Sequence, residues 1–161
     1  MKHETQALHL AKMMQKHTRY QTYELTLPLI TVRSNKLKKL SVDDVLLTGF
    51  DRLEFLLIDK DTICANIELK PMKNMHGAEI SYLTEDTIKQ SDSKKYKTLK
   101  NSFGTVQSKA LEIGSTIDIT HLDLEKVTLV SEGKMIAEGS LVNVDEEIAI
   151  QIKKVKAFGF M

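Results

Sequence analysis

VTLVSEGKMIAEGSLVNVDEEIAIQI, residues Val127 to Ile152, carries the clearest strand pattern in the chain. It divides into three apolar runs, Val127–Val130, Met135–Val144 and Ile148–Ile152, separated by two turn signals. Between the first two lies Ser131-Glu-Gly-Lys134, where Gly133 supplies the positive φ of a tight hairpin. Asp145-Glu-Glu147 separates the last two as a charged tip that stays in water. In the last run Ile148, Ile150 and Ile152 share one face, and Ala149 and Gln151 the other. The pattern predicts a three-strand antiparallel meander.

The stretch has an earlier counterpart. Phe55–Leu69 lies over Val127–Leu141 without a gap, at an offset of 72 residues. Leu57 meets Leu129, Ile58 meets Val130, Ile63 meets Met135, Ala65 meets Ala137 and Leu69 meets Leu141. Asp59-Lys-Asp61 falls where the Ser-Glu-Gly turn falls. Two copies are too few for a solenoid, so the expectation is one module used twice. The core candidates are Leu57, Ile63, Leu69, Val127, Leu129, Ile136, Val142, Ile148, Ile150 and Ile152.

Outward from these segments, 161 residues suffice for one ordinary domain or two small ones. A content of 42% hydrophobic and 28% charged residues is that of a globular chain, not a disordered one. The net charge of +1 provides no global field, so bulk attraction to nucleic acid or an anionic membrane is not expected. No apolar run reaches bilayer length, and no signal-peptide core opens the sequence. The single Cys64 excludes an internal disulfide and suits a reducing compartment, with cytoplasm the simplest placement.

Residues 1–23 read as a helix, with Ala7, Leu8, Ala11 and Met14 at spacings of three and four. His3, His9 and His17 are not at a ligand-pair spacing and read as solvated. Glu24–Arg33 has strand composition, with Pro28 making it an edge strand or a broken one. Ser41 and Asp44 resemble a capping pair and predict a short helix over Val42–Leu47, ended by Gly49. Lys36, Lys38 and Lys39 read as a solvated face. After the first hairpin, 71–77 is expected as loop and Ala78–Leu83 as a closing strand. The Lys- and Ser-rich stretch 85–103 is expected as a linker, since Tyr96 and Phe103 alone do not make a nucleobase platform. Leu111–Ile119 then predicts a turn at Gly114 and a short strand.

In order, Leu111-Glu-Ile-Gly-Ser115, Glu132-Gly133-Lys-Met-Ile-Ala137-Glu-Gly139, Leu141-Val-Asn-Val144 and Ile148–Val155 resemble the SpoA (surface presentation of antigens) domain. That family is found at the C-termini of the flagellar switch proteins FliM, FliN and FliY and in injectisome cytoplasmic-ring proteins. Gly133, Ile136, Ala137, Gly139, Val142, Val144, Ile150 and Ile152 keep the pattern. Glu132 stands for Asn, Ser140 for Glu, Ala149 for Gly and Gln151 for Arg. The first copy is fainter, with Asp61 and Ile67 at the family's glycine places.

The resemblance implies a mainly β fold: two SpoA-like modules pairing into an intertwined, barrel-like pseudo-dimer, with an N-terminal helix and a short helix per module. The expected divisions are 1–23 helix, 24–84 module 1, 85–103 linker and 104–157 module 2. Pairing is physically reasonable, because a module of about 50 residues is marginal alone. A linker raises the mutual concentration of two such copies to roughly millimolar or more.

No phosphate loop, metal spacing or nucleophile–base pair is readable, so the expectation is no enzyme and no cofactor. Asp118, His121 and Asp123 read as a surface connection, and Cys64 as a small core residue. What the resemblance implies is a scaffold of the flagellar motor switch or type III secretion cytoplasmic ring, peripheral to the inner membrane. Its partners would be FliM/FliN/FliY-like or SctQ-like SpoA proteins and the N-terminal segment of a FliH/SctL-type stator protein, with no nucleic acid. Carried over by position, the partner-binding patch is Leu141, Val142 and Asn143. Alternatives are a regulatory adaptor that engages the motor without being a ring subunit, and a small-molecule barrel or enzyme.

Overall fold

A computed structural model describes residues 20–72, 75–88 and 93–156. Eleven strands and one short helix follow in order: β1 (Gln21–Thr26), β2 (Ile30–Arg33), α1 (Ser34–Lys38), β3 (Val45–Phe50), β4 (Glu54–Asp59) and β5 (Thr62–Met72). Then come β6 (Met75–Thr87), β7 (Tyr96–Ser108), β8 (Thr116–Ile117), β9 (Val127–Ser131), β10 (Lys134–Val144) and β11 (Glu147–Val155). The protein is mainly β, and every pairing in its single sheet is antiparallel. The sheet does not close into a barrel: it runs β3-β11-β10-β9-β7-β1-β4-β5-β6-β8, with β2 continuing β1 along β7.

That order reads alike from both ends. Outward from the central β7–β1 pair, one side carries the meander β9-β10-β11 and then β3, the other β4-β5-β6 and then β8. Strand bounds recur at the interval found in the sequence, since 72 residues separate both Thr62 from Lys134 and Met72 from Val144, the limits of β5 and β10. The terminal strands are exchanged. β3, from the first half, pairs with β11, and β8, from the second, pairs with β6.

The predicted meander is present, with Glu132 and Gly133 both at positive φ (52° and 74°) in its first turn. Asp145 and Glu146 also take positive φ (50° and 68°), a tight turn made without glycine. Pro28 interrupts the N-terminal strand, so β1 stops at Thr26 and β2 resumes at Ile30. Gly114, at φ 88°, turns the chain into β8.

Several expectations are corrected. Val42–Leu47 is no helix. The Ser41 N–H does donate to Asp44 Oδ2 (2.8 Å), but Asp43 takes φ 76° and the bonds close a single turn. From Val45 the inward Leu46 and Thr48 alternate with outward Val45 and Leu47, and the segment pairs with β11. The one helix among the described residues is α1, so a short helix in each module is not observed. The region 71–77 is mostly strand, with Pro71 opposite His76 at the end of a hairpin.

The segment 85–103 is largely strand as well, comprising the end of β6 and the first half of β7. Its few apolar residues are correctly spaced: Leu99 and Phe103 are buried while Thr98 and Lys100 turn outward. Lys100 Nζ donates to Glu24 Oε1 (2.6 Å) on the outer face, and Lys97, near the start of the strand on the Leu99 side, pairs with Glu132. Of the expected N-terminal helix, Gln21–Tyr23 belongs to β1 and residues 1–19 lie outside the described residues.

The core runs continuously across the β7–β1 centre. It joins Leu25, Phe55, Leu57, Ala65, Ile67 and Ile80 with Leu99, Phe103, Val127, Leu129, Ile150 and Ile152. Phe55 and Phe103 meet edge to face with centroids 5.3 Å apart, one ring from each half. Ile63, Leu69, Val142 and Ile148, also expected in the core, are half-buried.

Candidate docking face

Leu141, Val142 and Asn143 lie on the part of β10 that extends past β9, whose pairing ends at Gly139 opposite Val127. Here β10 is held by β11 alone, with Leu141 opposite Ile150, Val142 opposite Ala149 and Asn143 opposite Ile148. Because side chains alternate along a strand, the three residues do not share a face. Leu141 packs against the core beside buried Ile150, while Val142 turns the other way and Asn143 is exposed.

The register extends the outer row beyond β10. Ala149 faces Val142 on one side and Leu47 of β3 on the other, so Val142, Ala149 and Leu47 form one line across three strands. The next line is Ser140, Gln151 and Val45. Leu47 is 52% exposed and Val45 41%, whereas the inward-facing Leu46 of the same strand is 3% exposed. An edge strand that turns two branched apolar residues to water is a liability that charged residues ordinarily blunt. Sequence reasoning missed Val45 and Leu47. Their alternation with Leu46 and Thr48 was the available signal, and the Ser41/Asp44 pair obscured it.

Around this face the backbone is fixed by polar bonds. Thr48 Oγ1 donates to Ile148 O (2.5 Å), and the Gly49 N–H donates to Glu147 Oε2 (3.1 Å), tying β3 to β11. Asp43 N–H donates to Ile152 O (2.7 Å), and the Ile152 N–H donates to Asp44 O (2.8 Å). Gly139 lies opposite Ile152, beside the register shift between β10 and β11. A Cβ there would lie 2.6 Å from Gln151 O and 2.6 Å from Ile150 Cγ2.

The other sequence candidates are placed apart from this face. The Asp118 carboxylate accepts from the Thr120 hydroxyl (2.6 Å) and N–H (2.9 Å), which hold it below the usual carboxylate range. His121 Nε2–H donates to Thr105 O of β7 (2.9 Å), and Asp123 accepts from the Glu125 N–H, so the two aspartates serve local turns and His121 ties the connection to β7. Cys64 is half-buried against the core, and burial pushes its thiol up. Among the described residues no three His, Cys, Asp or Glu side chains gather as a metal set. No helix among them is long and apolar enough to cross a membrane.

Fold and face together describe a mainly β sheet with an apolar edge at β3. Residues 109–156 match the family described as Type III flagellar switch regulator (C-ring) FliN C-term. This part of the chain is similar to that SpoA-like family, whose members are structural components of the flagellar switch ring in the cytoplasm. No curated protein matches the chain.

Proposed function

We propose that the chain is a non-enzymatic scaffold subunit of the flagellar switch or a related secretion ring, built from two SpoA-like modules in one polypeptide. The first half contributes β1–β6 and the second half β7–β11. Supporting the pairing are the strand order that reads alike from both ends, the 72-residue recurrence of strand bounds and the exchange of β3 and β8. The pair does within one chain what two separate copies would otherwise have to do by association, at a high effective concentration.

The docking surface in this reading is the outer face of β10, β11 and β3. Its partners are FliM- or FliN-like SpoA proteins and the N-terminal segment of a FliH/SctL-type stator protein, engaged near Leu141, Val142 and Asn143 at the inner-membrane base. The observation that carries it is the exposed Leu47 and Val45 in register with Val142 across Ala149. An apolar helix or strand from a partner fits such a row through spaced anchors. A pull-down of the stator segment tests it with the wild type, Val142→Asp and Leu47→Asp. Loss of capture by both variants, with folding retained, supports the face. Undiminished capture by both rejects it.

A further inference from the structure

The opposite end of the sheet presents a different surface. β6 has 13 residues but its outer neighbour, β8, pairs only with Ala78 and Glu79, and Ser115 and Gly114 continue the contact to Ile80. Beyond Ile80 the outer margin of β6 has no neighbouring strand among the described residues, and Tyr82 and Leu83 are 65% and 46% exposed. The β5–β6 register shifts twice in this region, at Asn66/Ile67 and at Ile63/Ala65. Such bulges discourage the addition of another strand, so this margin is suited to side-chain docking.

The occupant can be argued from where the chain enters. Gln21 Nε2 donates to Asp59 Oδ2 (2.8 Å), and Lys109 Nζ stands 5.4 Å from the Tyr20 ring centroid. The entry point therefore lies at the end of the sheet where the β4–β5 turn and the C-terminus of β6 meet. Asp59 pairs with Thr62 and Thr62 with Thr87, so β6 is three strand spacings from β1, roughly 14 Å. Nineteen residues precede Tyr20, and even as a helix they reach about 28 Å.

Charge is complementary. Asp59, Asp61, Glu85 and Asp86 against Lys60 and Lys109 give this end −2, and none of the four acids pairs with Lys or Arg among the described residues. Residues 1–19 carry Lys2, Lys12, Lys16 and Arg19 against Glu4, which gives +3, with an apolar series at Ala7, Leu8, Ala11 and Met14.

We infer that residues 1–19 dock in cis on the free margin of β6, the apolar series straddling the margin between Tyr82 and Leu83, whose side chains leave the strand on opposite faces, and the lysines toward Glu85 and Asp86. The two ends of a sheet with near-symmetric strand order would thereby differ: one closed by its own chain, the other left for partners.

Zero-length carbodiimide cross-linking of the full chain, at micromolar concentration and with labelled and unlabelled protein mixed, tests this. Cross-links from Lys12 or Lys16 to Glu85 or Asp86 within one chain are expected. Amide exchange across 81–87 should be at least about tenfold faster in Lys12→Glu/Lys16→Glu and in Tyr82→Ser/Leu83→Ser than in the wild type. Cross-links only between labelled and unlabelled chains would overturn the proposal in favour of docking between copies. Absence of these cross-links, or exchange unchanged in both variants, would overturn it outright.

Discussion

Leu46→Ala separates an exchanged-strand fold from two independent halves. Leu46 belongs to β3, in the first half of the chain, yet it is 3% exposed and lies opposite Ile150 of β11, itself fully buried. Truncating a buried Leu to Ala costs about 2–5 kcal/mol, and an edge strand relaxes more than a central one, so about 2–3 kcal/mol is expected. With a urea slope of about 1–3 kcal/mol/M, the unfolding midpoint should fall by roughly 1–2 M. The informative readout is hydrogen exchange followed peptide by peptide at low urea. Because the core is continuous from Phe55 to Ile152 through Phe103, the slowest amides of β4–β5 and of β9–β11 should lose the same protection, about 30-fold for 2 kcal/mol. Leu47→Ala, one residue along but facing water, is the control and should change stability by less than about 0.5 kcal/mol. If Leu46→Ala loosens residues 45–72 and leaves 127–155 at wild-type protection, the halves are separate and the exchanged-strand reasoning is wrong.

Four further outcomes follow from single sites. Gly139→Ala places a Cβ against the Gln151 carbonyl, which β-pairing prevents from moving, and should cost about 1–3 kcal/mol in chemical unfolding; an unchanged midpoint would contradict that contact. Glu146→Gly relieves an exposed left-handed residue and should raise stability by about 0.5–1 kcal/mol, measured the same way. Asn101 is fully buried with neither amide atom hydrogen-bonded, so Asn101→Leu should stabilise by about 1 kcal/mol or more; a loss would show that those atoms have partners in solution. Burial raises the Cys64 thiol pKa, so less thiolate is present at neutral pH than for a free thiol. Alkylation by iodoacetamide should accordingly rise with a midpoint above that of a small thiol in the same buffer.

The C-terminal meander was readable because three signals agreed there: period-two apolar runs, a glycine at a left-handed turn position and a charged tip. The 72-residue offset was readable for the same reason, although Asp61 and Ile67 replace glycines in the first copy. β7 was not. Its lysines and serines have the composition of a linker, and what makes it a strand is tertiary: Leu99 and Phe103 enter a core drawn from both halves while Lys97 and Lys100 reach Glu132 and Glu24. β3 was misread because a local capping pair formed as expected yet closed only one turn. The docking residues divided likewise. Leu141–Asn143 came from a sequence pattern that ignores strand alternation, whereas Leu47 joined Val142 only once the cross-chain register was known.

The ring assignment is tested most directly by counting fluorescently tagged copies of the chain at individual flagellar or injectisome bases in its native cells. A scaffold subunit predicts foci at every base with copy numbers matching the ring's repeat, dispersed by Val142→Asp together with Leu47→Asp. Diffuse fluorescence, or a copy number far below the ring's repeat at each base, would contradict it.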